Sequence, residues 1–155
     1  MKFLFAILQA AILAVIGFYI FTDQASDYKR KAAAGVNVVA QEYIDRATKD
    51  KEVLSEAQAT EKAQKAVNIG NKVNTTSGLV ITGKAVTTAT IGGISGFVIW
   101  FIAYFIIQIT TKPLVTLLDS AWGNFIRYYV GATAATYIIV FVELAVVCEY
   151  FFSGF

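Results

Sequence analysis

The stretch Ile91–Ile109, IGGISGFVIWFIAYFIIQI, constrains this chain more than any other. It runs 19 residues without a charge, and Ser95 and Gln108 are its clearly polar members. As a helix it spans roughly 28 Å, close to the ~30 Å hydrocarbon core of a bilayer. A soluble domain has little use for a helix this long and apolar on every side. The stretch is read as a transmembrane helix, and the rest of the chain as what flanks a membrane span.

A second apolar run covers residues 3–21, FLFAILQAAILAVIGFYIF, interrupted only by Gln9 and Gly17. Lys2 precedes it, the arrangement of a signal peptide. The following Thr22-Asp23-Gln24-Ala25-Ser26 offers no small-x-small cleavage site, so the run is read as a signal-anchor helix. A third run, residues 128–152, is bracketed by Tyr128 and Tyr129 at one end and Tyr150, Phe151 and Phe152 at the other. Aromatic residues at both ends fit a span with interfacial belts. The expected fold class is an all-α integral membrane protein with three transmembrane helices, near 3–21, 88–110 and 129–152.

The segment between the first two spans changes character. Residues 27–69 are rich in Ala, Lys, Glu and Gln, strong helix formers. Acid-then-base pairs recur at i, i+4: Asp27–Lys31, Glu42–Arg46, Asp45–Lys49 and Glu61–Lys65. This pattern predicts one long polar helix of about 40 residues, roughly 60 Å, with a kink at Gly35 and a stop at Gly70-Asn71. Its apolar stripe is thin: Val36, Ala40, Tyr43, Ala47, Leu54 and Ala57. It fits either a solvated helix held by ion pairs or an Ala-faced helix packed on a neighbouring subunit. Residues 71–90 read as a turn-rich connector, which with the long helix makes an extramembrane region over 23–85. Residues 86–155 read as a helical membrane hairpin.

Gly92 and Gly96 stand at small-xxx-small spacing, which lets helix backbones approach closely in lipid. Trp100 lies too deep for an interfacial belt and is expected to pack on a neighbour. Lys112-Pro113 is expected to end the central span. From Leu114 to Arg127 the apolar residues fall at 114, 117, 118, 121, 122, 125 and 126, the i, i+3, i+4 pattern of an amphipathic helix. A short interfacial helix over 114–127 is expected, with Trp122 and Phe125 buried among headgroups.

One residue demands an explanation. Glu143 sits midway down the third run, where an ionised carboxylate costs ~2.5–3.5 kcal/mol on insertion scales. It must be protonated, paired or placed beside water. Thr136, seven residues earlier on its face, and Gln9 and Gln108 on the other runs are the candidate partners. A neutral carboxyl in an interhelical hydrogen bond is favoured over an ion or proton site, because no base shares the apolar runs.

Composition narrows the function classes. The chain has 155 residues, 15% charged, against about 25% in average soluble domains. It has no His, which removes Ser-His-Asp and Cys-His catalysis and the commonest metal ligand. No catalytic set, metal site or cofactor is expected. The single Cys148 lies in an apolar run and reads as a small buried hydrophobe. A net charge of +2 argues against nucleic acid. The glycines of 92–96 lack the Lys-Ser/Thr ending of a phosphate loop.

The expected function is a non-enzymatic structural or assembly subunit of a membrane complex, such as an envelope machine, a respiratory-type complex or a virion membrane. The alternative is a pore or proton-conducting subunit, holin-like pores included, with Glu143 on the path. Expected partners are the lipid bilayer and other membrane subunits or copies of itself. Ten of the thirteen Lys and Arg lie in residues 29–84. The positive-inside rule therefore places residues 23–85 on the cytoplasmic side, with the N-terminus outside, in a bacterial inner membrane or a derived one.

Overall fold

The computed structural model describes residues 1–115 and 121–155, with side chains for 1–110 and 123–155. Every regular element among the described residues is helical. The order is α1 (Lys2–Ala34), α2 (Val36–Lys49), α3 (Glu56–Thr75), α4 (Gly78–Val115), α5 (Ala121–Phe125), a π-helix (Ile126–Val130) and α6 (Gly131–Ser153). Three segments are long and apolar enough to cross a membrane: Lys2–Ala34, Gly78–Thr110 and Gly123–Ser153. They contain the three apolar runs. The chain divides into two compact units, one of Met1–Ile20 with Ala85–Cys148, the other of Phe21–Lys84 with Glu149–Phe155. Residues 86–148 of the expected hairpin thus share a unit with residues 3–20 of the first apolar run, and residues 149–155 belong to the other unit.

In the first unit the contacts fix helix directions. Leu13 of α1 meets Gly92 and Gly96 of α4, Gly17 meets Thr88 and Ala89, and Phe5 meets Trp100. Rising numbers on α1 pair with falling numbers on α4, so these two run antiparallel. Leu13 also clusters with Val140 and Leu144, and Ala6 with Ala132, so α6 runs parallel to α1. The core consists of these buried faces, while Val15, Ile94, Ile138 and Val142 point outward.

The second unit corrects the expectation of one long polar helix. Helix α1 continues to Ala34, Gly35 takes φ 89°, and α2 starts at Val36. A positive φ of this kind suits glycine, so the expected kink is a full break. Helix α2 ends at Lys49, and Lys51 enters the left-handed region at φ 56°. The Glu52 amide reaches back to the Ala47 carbonyl at 2.9 Å, the 6→1 bond of a Schellman ending. Ser55 then opens α3 with a capping box. Its hydroxyl accepts from the Gln58 amide, and the Gln58 side chain accepts from the Ser55 amide, both at 3.2 Å.

The break has a packing cause. A straight 60 Å helix would leave its alanines in water. Folding α3 back on α2 buries Val39, Ala40, Ala59, Ala63 and Val67 in one cluster. Helical stability comes mostly from such tertiary burial rather than from propensity. The alanine face is therefore packed inside the chain. Gly70 does not stop a helix either: it lies within α3, where a Cβ would stand 2.0 Å from the Tyr28 carbonyl oxygen. The connector read over 71–90 is helical to Thr75 and again from Gly78. Lys112-Pro113 does not end the helix, because α4 continues to Val115. The core of the amphipathic stretch 114–127, with the side chain of Trp122, falls outside the described residues.

Two of the four expected ion pairs form: Lys31–Asp27 at 2.8 Å and Lys65–Glu61 at 3.1 Å. Glu42 instead takes Arg30 of α1, whose two terminal nitrogens reach its two oxygens at 2.9 and 3.1 Å. Asp45 accepts from the Gln41 amide at 2.9 Å. At the chain's end, Phe152 stacks on Phe21 at 4.9 Å between ring centroids and lies as close to Tyr28. The Lys84 ammonium stands 3.9 Å over the Phe155 ring.

Candidate functional site

The first unit holds the polar and glycine residues singled out from the sequence. The glycines come first, because they set the helix distances. A Cβ on Gly92 would lie 2.9 Å from the Leu13 carbonyl oxygen, and one on Gly96 would lie 2.6 Å from a Leu13 methyl. Gly17 faces the Thr88 carbonyl oxygen in the same way at 3.1 Å. Gly92 and Gly96 thus face α1 of the same chain. Gly17, which the sequence reading passed over, is the matching small residue on α1.

That close approach positions the acid. Glu143 of α6 is half-buried, and the Ser95 hydroxyl of α4 donates to its Oε1 at 2.8 Å. Ser95 sits between the two packing glycines, so the contact that draws α4 inward also delivers this donor. The second carboxyl oxygen, Oε2, is buried with no hydrogen-bond partner. The apolar cluster of Leu13, Val140 and Leu144 packs beside it.

The three partners expected for Glu143 fall elsewhere. Thr136 is fully buried and donates to the Ala132 carbonyl of its own helix at 2.7 Å. Gln9 is buried, and its side-chain oxygen has no partner. It lies one turn before Leu13 as Thr136 lies one turn before Val140, so these two share a layer between the Leu13 cluster and the Trp100 cluster. Gln108 lies 13 residues beyond Ser95 on α4, about 20 Å along the axis. It is too far to reach Glu143.

A second interhelical bond was missed in the sequence. Trp100 is fully buried, and its indole N–H donates to the Thr133 hydroxyl at 3.1 Å. The Thr133 hydroxyl in turn donates to the Tyr129 carbonyl at 2.7 Å. Trp100 therefore packs within its own chain, against Phe5, Tyr104 and Tyr129 at ring distances of 5.4 to 5.6 Å. The central depth of Trp100 was visible in the sequence, and its need for an acceptor pointed to a hydroxyl on another helix. The expected interface residues Phe125, Tyr128 and Tyr129 join this aromatic group. Phe125 stacks on Tyr129 at 5.0 Å, and Tyr104 meets Tyr128 edge-on at 5.9 Å.

Chemically the site is a set of fasteners: one acid–hydroxyl bond, one indole–hydroxyl relay and three glycine contacts. Among the described residues, no group of three His, Cys, Asp or Glu stands together to hold a metal ion. No family model, no curated protein and no solved structure matches this chain.

Proposed function

We propose that this chain is a non-enzymatic, membrane-embedded structural subunit, anchored by α1, α4 and α6 and presenting the α2–α3 hairpin as its extramembrane part. The observation that carries this reading is the use of polar side chains in the apolar helices. Ser95, Glu143, Trp100 and Thr133 tie helices to one another. In hydrocarbon such bonds fasten helices, because an unsatisfied polar group there costs several kcal/mol. The outward Val15, Ile94, Ile138 and Val142 suit lipid chains or the apolar faces of partner subunits. The bilayer is a bacterial inner membrane or one derived from it, with residues 23–85 on the cytoplasmic side. Purification in mild detergent, followed by identification of co-purifying chains, tests the reading. A stoichiometric set of membrane partners or a defined self-assembly is expected, and a monodisperse monomer in native lipid would overturn it.

A second reading rests on the unpartnered Oε2 of Glu143. A buried acceptor of this kind also suits a proton or cation in transit. On that reading, reconstituted vesicles carry a flux that Glu143→Gln abolishes while assembly stays normal.

A further inference from the structure

The end of the first unit that carries Phe5 and Tyr104 holds a cup of about 390 Å³. Its lining includes Phe5, Tyr104, Asn124, Phe125, Tyr128 and Tyr129. Small-molecule sites begin near ~300 Å³ and pair apolar walls with a few placed polar groups. Here the walls are aromatic rings. The polar groups are three tyrosine hydroxyls and one carboxamide.

Two features set the cup apart from an accidental gap. Tyr128 and Tyr129 both line the cup and lie in the π-helix Ile126–Val130. Single π-turns inside helical runs occur frequently at functional sites. Basic side chains also stand at this end among the described residues. The Lys2 ammonium stands 5.0 Å over the Tyr104 ring, and Arg127 lies between Ile126 and Tyr128 on the π-helix. None of the six lining residues named is an acid.

We infer that this cup binds the headgroup region of one anionic phospholipid. The inference rests on the membrane-embedded reading, which places the cup where α1 and α4 reach the headgroup layer. Lys2 and Arg127 supply the positive field for a phosphate diester, and the tyrosine hydroxyls and Asn124 supply hydrogen-bond donors. The rings of Phe5 and Phe125 take the glycerol and the first methylenes. A free phosphate would satisfy the donors and leave the rings without a partner, so the lipid is the source that uses both halves of the site.

Trp100 reports on the site, since its ring lies 5.5 Å from Phe5 and 5.6 Å from Tyr129. The full chain carrying Trp122→Phe, with Trp100 as its one tryptophan, is reconstituted in vesicles containing brominated phosphatidylglycerol or brominated phosphatidylcholine. Quenching of Trp100 is expected to saturate at an about fivefold lower mole fraction of the anionic lipid, the effect of about one basic residue near a membrane surface. Lys2→Gln, at an exposed position, is expected to bring the two lipids together, and Arg127→Gln serves should Lys2→Gln not insert. Equal quenching by both lipids, or a preference unchanged in the variants, overturns the proposal. Reversal of the quenching by millimolar inorganic phosphate would assign the cup to a soluble anion and overturn it too. Failure of the unsubstituted chain to float with vesicles would instead remove the membrane reading on which the proposal stands.

Discussion

The Ser95 hydroxyl and the Glu143 carboxyl meet at 2.8 Å and join α4 to α6 at the level where Gly92 and Gly96 admit Leu13 of α1. One layer thus combines close backbone approach with an interhelical hydrogen bond. Glu143→Gln keeps an acceptor for Ser95 and is expected to leave the helix packing nearly intact. Glu143→Leu and Ser95→Ala each remove the bond, at about 1 kcal/mol. Unfolding by graded denaturing detergent measures both. A Glu143→Gln loss as large as that of Glu143→Leu would show that the bond is not what matters there.

The glycine contacts predict an order of effects. Adding a methyl at Gly70 meets the Tyr28 carbonyl oxygen at 2.0 Å, and at Gly92 it meets the Leu13 carbonyl oxygen at 2.9 Å. Backbone atoms yield less easily than side chains. At Gly96 the nearest atom is a Leu13 methyl, which can rotate, and at Gly83 nothing stands within 4 Å. Gly70→Ala is expected to cost most, about 1–3 kcal/mol, followed by Gly92→Ala and then Gly96→Ala. Gly83→Ala is expected to stabilise α4 by up to about 1 kcal/mol, the ordinary helix-propensity gain. Thermal unfolding of the four variants in one detergent gives the ranking, and equal effects at Gly70 and Gly83 would refute it.

The three apolar helices were legible because each is a charge-poor run of spanning length, and such runs leave few alternatives. The identity of Glu143 as the residue in need of a partner was equally plain. Its partner was not, because Ser95, Thr136, Gln9 and Gln108 differ only in where the helices place them. Ser95 was chosen by the glycines on either side of it. The hairpin was the larger miss. Every residue from 36 to 49 and from 56 to 69 is compatible with one continuous helix, and propensity contains no reason to stop. The signal lay in Ser55-Glu56-Ala57-Gln58, a capping-box sequence that starts a helix where the long-helix reading continued one. Gly70 misled in the opposite direction: it serves close packing against Tyr28, not termination.

That capping box can be tested on its own. Ser55→Ala removes the acceptor for the Gln58 amide and the partner of the box, at about 1 kcal/mol. The loss should be local. Hydrogen exchange at the first turn of α3 is expected to accelerate several-fold, while amides of α4 and α6 keep their protection. Lys51→Gly is expected to act the other way, by removing the cost of a side chain at φ 56°. If Ser55→Ala loosened α6 as much as α3, the hairpin would not be an independent layer of stability.

The Arg30–Glu42 pair spans the break at Gly35, and it makes that break sensitive to pH. The guanidinium of Arg30, through its hydrogen bonds and then its charge, holds the Glu42 carboxyl below its ordinary value, and Lys31 adds to the effect while Asp27 opposes it. A carboxyl lowered in the folded state contributes stability that is fully present above its unfolded value. The contribution drains away as pH falls through the folded value. Near neutral pH the clamp is complete, so raising pH further should change nothing. Below the ordinary glutamate range, protection of the α2 amides near Val36–Ala40, taken relative to the intrinsic exchange rate at each pH, should fall, and Glu42→Gln should show the lowered protection at every pH. The pair is largely exposed, so the effect is small and weakens in high salt. A pH-independent protection in α2 of the unsubstituted protein, matching that of Glu42→Gln, would mean that the two helices are held across Gly35 by the packing of Ala34 and Val36 alone.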